Sequence, residues 1–126
     1  MKLILDSGAL IALERGDRAM WRRLKAAQRS GQVPACHGGI VGQAWRGRGS
    51  RQALLAKALA GIDVRPLDDA LGRAAGELLA SSRSSDVIDA ALVLLAEDGD
   101  YIVTSDPRDL EPLAAESRRD VELIRT

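Results

Sequence analysis

The chain has 126 residues, 46% hydrophobic and 29% charged, which is the composition of a globular protein with one domain. Eighteen basic residues balance eighteen acidic ones, so overall charge does not attract a polyanion and any contact with nucleic acid must use a local patch. One cysteine and one histidine exclude a disulfide and a structural zinc site, and no apolar run reaches the roughly 20 residues that span a bilayer, so we expect a cytoplasmic protein without membrane contact.

The first predicted strand is the apolar run Leu3–Leu5, which is typical of a strand buried on both faces. Ser7 and Gly8 then allow a turn into a helix. Asp6 therefore lies at the carboxyl end of a central strand, where open α/β sheets bind their ligands. An aspartate at this junction is equally typical of a helix N-cap, and the first twelve residues leave both interpretations open.

The next segments alternate between helix and strand. The sequence predicts a helix over Asp17–Ser30, a short strand over Gln32–His37 with an irregular start, and a turn at Gly38–Gly39. A second helix is predicted over Ile40–Arg46, and a flexible basic loop follows at Trp45–Arg51.

The second half continues the alternation. We expect a helix over Arg51–Ala60, a strand over Ile62–Leu67 and a helix over Asp69–Ala80. A polar loop at Ser81–Ser85 resembles the loops that border active sites. A strongly apolar helix follows, capped by Ser85 or Asp86 and extending to about residue 97.

The last predicted strands are Tyr101–Thr104 and Asp120–Arg125, with a helix between them that begins after Asp106. Strands that alternate with helices predict a parallel sheet covered on both faces. The expected fold is an α/β/α sandwich of three layers around a mostly parallel sheet of four to five strands, in a single domain over residues 1–126.

Four aspartates are candidates for one acidic site. Asp106 follows its strand as Asp6 follows the first, so both should lie at one edge of the sheet. Asp86 and Asp89 are three residues apart at the start of a buried helix, where unpaired carboxylates are costly. A hard cation such as Mg²⁺ or Mn²⁺ would satisfy these oxygens. The alternatives are an N-cap for Asp86 and a salt bridge to an arginine for Asp89.

Three short motifs carry a family resemblance: residues 5–10 (LDSGAL), 86–92 (DVIDAAL) and 102–110 (IVTSDPRDL). In this order they resemble a PIN domain, and within that family a VapC-type toxin of bacterial type II toxin–antitoxin systems, over essentially the whole chain. The resemblance implies an endoribonuclease dependent on Mg²⁺, usually a homodimer, that cleaves RNA and is inhibited by a cognate antitoxin.

The resemblance also assigns metal ligands to positions in this chain. Asp6 matches the family's first acid, Asp106 matches the last, and Asp89, before Ala-Ala-Leu, best matches the third. Asp86 lies one helical turn earlier and is a close alternative to Asp89. Asp109 would assist from outside the ligand shell, or is a surface or turn residue.

Gln43 departs from the family pattern, which has a glutamate at this position. Glutamine keeps an oxygen for a metal ion or water but brings no negative charge and cannot act as a base. The activity is therefore expected to be reduced. The alternative function is a PIN-like binding module that acts through antitoxin, RNA or self-association. A receiver-like regulatory domain is disfavoured because no lysine follows the last acidic strand end.

Two further features have both a functional and a structural interpretation. Arg46, Arg48 and Arg51 could bind RNA phosphates beside the acidic site, or they could form a solvated loop. His37 has no second ligand or nucleophile at a telling spacing, so we expect a structural or exposed side chain.

Overall fold

The computed structural model describes residues 1–126 and is built around a sheet of five parallel strands. The strands are β1 (Leu3–Leu5), β2 (Ala35–His37), β3 (Asp63–Arg65), β4 (Tyr101–Thr104) and β5 (Glu122–Arg125). They lie in the order β3-β2-β1-β4-β5, and each neighbouring pair is parallel. The predicted mostly parallel sheet of four to five strands is confirmed.

Seven helices connect the strands: α1 (Ser7–Glu14), α2 (Arg18–Arg29), α3 (Gly38–Ala44), α4 (Arg51–Leu59), α5 (Asp69–Ser81), α6 (Val87–Leu94) and α7 (Pro107–Ser117). Crossovers between parallel strands are right-handed, so the direction of a connection decides which face of the sheet its helices cover. The connections that run toward the β3 edge place α1–α4 on one face. The connections that run toward the β5 edge place α5–α7 on the other face. The predicted sandwich of three layers is confirmed. The longest helix has 13 residues, and no helix is long and apolar enough to cross a membrane.

The direction of the chain across the sheet reverses at β1. The chain runs from β1 to β2 on one side, whereas β4 pairs with β1 on the other side and leads outward to β5. In open α/β sheets the crevice beyond such a reversal is where ligands bind. The backbone N–H of Asp6 donates to the Val103 carbonyl at 3.1 Å, which holds the ends of β1 and β4 together at this crevice.

The central strands supply the middle of the core. Ile4 and Leu5 of β1 and Ile102 and Val103 of β4 are fully buried, within a cluster of 26 buried residues. The apolar run at the start of the chain therefore has helices on both of its faces, as its composition predicts. This packing makes the ends of β1 and β4 a rigid base for the side chains that follow them.

Two predicted helix boundaries are wrong. Helix α3 begins at Gly38 and ends at Ala44, two residues earlier at each end than predicted, because the side chain of His37 caps it directly at the end of β2. Helix α6 ends at Leu94, about three residues earlier than predicted. There the guanidinium of Arg119 donates to the carbonyls of Leu94 and Ala96 at 2.6 Å each, which satisfies helix-end acceptors without a further turn.

Candidate metal centre

Asp6 lies between β1 and α1 and serves both elements. Its Oδ1 accepts a hydrogen bond from the Ala9 N–H at 3.0 Å, so the residue is the N-cap of α1. The carboxylate also lines a cavity at the carboxyl edge of the sheet. The N-cap interpretation of this residue is confirmed, and its position at the cavity is compatible with the predicted ligand role, since a carboxylate has two oxygens and the cap uses one.

Helices α6 and α7 begin with the same arrangement of two aspartates. Asp86 caps α6 through Oδ1, which accepts from the N–H groups of Ile88 and Asp89 at 2.9 and 3.1 Å. Asp106 caps α7 through Oδ1, which accepts from the Arg108 N–H at 3.2 Å. Asp89 and Asp109 lie three residues after these caps, in the first turn of each helix. Each helix thus presents two carboxylates at its start.

These elements meet around one polar cavity of about 190 Å³, here called the acidic cavity. It collects side chains from four helices and from the ends of two strands, and no lysine, arginine or histidine lines it. The lining residues are Asp6, Ser7, Gln43, Asp86, Asp89, Thr104, Ser105, Asp106, Asp109 and Leu110. All the acids that the sequence suggested therefore lie at a single site.

The pKa of Asp89 is raised by burial and by the nearby acids of the cavity. Burial, followed by the neighbouring charges of Asp86, Asp109 and Asp6, raises the pKa of Asp89 from 3.8 to about 6. No salt bridge involves Asp89, so the alternative of an arginine partner is wrong. The pKa of Asp89 is higher in the folded protein than in the unfolded chain. The contribution of protonated Asp89 to the free energy of unfolding is therefore fully present below about pH 4 and is lost as the pH rises through 6. Ionised Asp89 opposes folding at neutral pH, a cost that a cation would remove.

Asp6 is the most buried acid of the cavity. Burial raises the pKa of its carboxyl, and hydrogen bonds from Thr104 and from the N–H groups of Ala9, Ser105 and Gly8 partly oppose that rise. The surrounding donors hold the side chain in one orientation. A buried, oriented oxygen is what a metal ligand requires.

Gln43 reaches the acidic cavity from α3, and His37 sets the position of that helix. His37 is fully buried; its Nδ1 accepts from the Gly39 N–H at 3.0 Å, so Nε2 carries the proton and donates to the Ile88 carbonyl at 2.9 Å. Burial lowers the pKa of the imidazole, which stays neutral. His37 therefore ties the helix of Gln43 to the helix of Asp89, a structural role as expected.

The chemistry of the cavity fits a hard divalent cation, although its side chains are not set in ligand geometry. Five carboxylates without a basic partner repel one another until a cation neutralises them. No group of three histidine, cysteine, aspartate or glutamate side chains is arranged to hold a metal ion. Asp86, Asp106 and Asp109 are exposed, so their carboxylates are accessible to an ion from solvent.

The structure divides the three arginines of the basic loop into two groups. The guanidinium of Arg46 donates to the carbonyls of Gly42, Gln43 and Trp45 at 2.8 to 3.3 Å and so caps the end of α3. Arg48 and Arg51 are exposed and have no hydrogen bond from their guanidinium groups. They line a second cavity of about 490 Å³, which Gln43 also lines.

Some of the lining was not anticipated from the sequence. Ser7, Thr104 and Ser105 adjoin predicted acids, and their position beside Asp6 and Asp106 was a usable signal. Arg15 lines the second cavity from the end of α1, and nothing in its local sequence indicates this.

Comparison with known proteins supports the fold. No protein-family model and no curated protein matches the chain. The structure is similar to a chain in the crystal structure of VapBC2 from Rickettsia felis bound to a DNA fragment from their promoter, with a TM-score of 0.71 and 11% sequence identity. The similarity covers 100% of this chain and 99% of that chain. The expected PIN-like fold is thereby confirmed.

Proposed function

We propose that this PIN-like chain is an endoribonuclease dependent on Mg²⁺ or Mn²⁺, of the VapC toxin type. The observation that carries the proposal is the acidic cavity, where five aspartates from β1, α6 and the β4–α7 junction meet without a basic residue. The cavity lies at the crevice where α/β folds bind ligands. The fold shared with the chain of the VapBC2 structure supports the same function.

Asp6, Asp89 and Asp106 would hold the ion, with Asp86 and Gln43 completing the set. In three cases the cap hydrogen bond goes to Oδ1, so Oδ2 of Asp6, Asp86 and Asp106 takes no part in the cap. When bound, the ion lowers the pKa of water and stabilises charge on a phosphodiester. The Gln43 amide offers a hydrogen bond to water or to a phosphate oxygen but takes no proton.

Arg48 and Arg51 have a role next to this centre in the same proposal. Their free guanidinium groups lie in the cavity that shares Gln43 with the acidic one, so they would bind phosphates on either side of the cleaved bond. Arg46 is engaged at the end of α3 and contributes by holding that helix end.

The partners belong to the same proposal. In this proposal a cognate antitoxin neutralises the chain, and the similarity to a chain of the VapBC2 structure supports that partner. The proposal also takes from the family resemblance that the chain acts in the cytoplasm as a homodimer. Both edges of the sheet, β3 and β5, remain without a neighbouring strand in one copy of the chain.

The test is cleavage of mixed RNAs with Mg²⁺ or Mn²⁺ by wild-type protein and by Asp6→Asn. Asparagine still caps α1 but brings no charge, so cleavage should fall about 100-fold while the fold persists. Asp68→Asn is the matched control, because Asp68 caps α5 in the same way, through Oδ1 at 2.9 Å from the Leu71 N–H, and lies outside the cavity.

The second candidate is a binding module without catalysis, favoured by the neutral Gln43 and by the lack of a ready ligand set. Cleavage by wild type and Asp68→Asn, lost in Asp6→Asn, supports the enzyme. Absence of cleavage in all three proteins, with binding of RNA or antitoxin retained, supports the module.

A further inference from the structure

The cavity of about 490 Å³ next to the acidic one, here called the basic cavity, is lined by four arginines, none of which forms an ion pair with an acid. Arg15, Arg48 and Arg51 take part in no ion pair and donate no side-chain hydrogen bond within the chain. Gln43 lines both cavities, so the two are contiguous. A chain of zero net charge thus places unpaired arginines beside a cluster of aspartates.

The loop that carries Arg48 is held by one buried side chain. The Oε1 of Gln52 accepts from the backbone N–H groups of Arg46 and Gly47 at 2.9 Å each. Its Nε2 donates to Oε2 of Glu14 at 2.6 Å, which anchors it to the end of α1. Gln52 is only 8% exposed and its hydrogen bonds are partly buried, so their loss is costly.

The same loop has little else to fix its shape. Gly47 and Gly49 have φ values of +75° and +93°, a region that glycine enters freely, and Ser50 makes no capping bond to α4. Such a loop would sample many conformations and lose that freedom on binding. The Gln52 bonds remove much of this freedom beforehand and favour one placement of Arg48 over the cavity.

Glu14 is the one acid in the basic cavity, and it is bound to Gln52. It sets the orientation of the amide, because a carboxylate only accepts and so selects the NH₂ group of Gln52. The amide oxygen is then left to face the two loop N–H groups. The pair works as one unit, which is here called the Glu14–Gln52 clamp.

We propose that the Glu14–Gln52 clamp is a positioning device that holds Arg48 and Arg51 beside Arg15, and that the basic cavity so formed binds the phosphates of an RNA strand adjoining the acidic cavity. The proposal rests on the proposed function for its substrate class. It adds Arg15, which lies 31 residues before Arg46 in sequence, and the two clamp residues. The cavity carries no aromatic side chain, so it binds backbone and not bases.

The test measures binding of a fluorescein-labelled, single-stranded RNA of about twelve nucleotides, within the span that one binding site covers, in EDTA by anisotropy across a series of NaCl concentrations. Gln52→Leu removes both acceptor and donor and should weaken binding about tenfold at low salt. For single-stranded nucleic acid, the slope of log K against log salt changes by about 0.7 for each phosphate that the protein neutralises. Release of Arg48 and Arg51 should therefore make the slope shallower by roughly 1.4.

Three further variants keep the test decisive. Arg15→Gln should make the slope shallower by about 0.7, whereas Arg22→Gln, on the exposed face of α2, should leave it unchanged. Glu14→Gln keeps an acceptor for the Gln52 amide and should retain wild-type binding or strengthen it. An unaltered salt slope in Gln52→Leu or in Arg15→Gln overturns the proposal, as does an equal change in Arg22→Gln.

The result is separable from the proposed function because EDTA prevents cleavage. If RNA is not cleaved with Mg²⁺ but the slopes change as stated, the basic cavity stands and the nuclease does not. If RNA is cleaved but the slopes do not change, the nuclease stands and the clamp does not.

Discussion

At the scale of single residues, the acidic cavity depends on aspartates that do two things at once. Asp6, Asp86 and Asp106 each cap a helix, and each also lines the cavity. The cap fixes where the carboxylate lies without using both of its oxygens. An aspartate directly before a helix predicts each cap from local sequence. The presence of aspartates after both β1 and β4 predicts that their carboxylates meet at one edge of the sheet.

Gln43 provides the clearest prediction at this scale. We expect Gln43→Glu to raise Mg²⁺ affinity about tenfold. Two unit charges of opposite sign about 4 Å apart in water attract each other by about 1 kcal/mol, and a divalent ion doubles that attraction. Repulsion between the new carboxylate and the aspartates of the cavity reduces the gain. Isothermal titration of the metal into the protein measures the change.

A control is needed for the added charge itself. Gln32→Glu introduces the same charge at an exposed position away from the acidic cavity and should leave the affinity as it is. If Gln43→Glu raises the Mg²⁺ affinity no more than Gln32→Glu does, Gln43 does not belong to the metal site.

At the scale of elements, close approaches between helices and loops shape the cavity. A Cβ on Gly8 in α1 would lie 2.5 Å from Oγ and 2.6 Å from Cβ of Ser105, and a Cβ on Gly39 in α3 would lie 2.6 Å from Ile88 Cδ1. The sequence predicts α3 as a helix but not its start, because the cap comes from His37, which must also reach α6. Such a role depends on residues 51 apart and has no local signature.

Gly8→Ala tests one of these close approaches. Alanine favours a helix by about 0.5–1 kcal/mol over glycine, so a loss of function would come from the clash with Ser105 and not from a weaker helix. We expect metal affinity and RNA cleavage to fall about tenfold or more, as Ser105 and Asp106 are displaced. Metal titration and cleavage rates measure this.

The second substitution identifies the cause. Ser105→Gly removes the two nearest of the three atoms that the new Cβ meets and leaves only the backbone nitrogen at 3.1 Å, so the double variant should recover most of the loss. In α5 a Cβ on Gly76 would meet nothing within 4 Å, so Gly76→Ala should leave metal affinity and RNA cleavage unchanged. Equal losses in the single and double variants would show that the close approach is not what shapes the cavity.

At the scale of the whole molecule, a cluster of aspartates lies at the carboxyl edge of the sheet and unpaired arginines line the contiguous basic cavity. The parallel sheet, its layers and the meeting of the acids followed from alternating elements and from the position of aspartates after strands. The sequence did not predict the roles of Arg15, Glu14 and Gln52. Glu14 and Gln52 are 38 residues apart and meet only when α1 packs against α4. Sequence patterns report periodicity and strand ends, whereas these interactions depend on packing.

The central claim is that distant acids bind one divalent cation together. Anomalous diffraction from crystals of the protein soaked in Mn²⁺ tests it most directly. The account predicts one strong peak in the acidic cavity, about 2.0–2.4 Å from oxygens of Asp6, Asp89 and Asp106. A cavity without a peak at saturating Mn²⁺, or a peak bound by other residues, would contradict it.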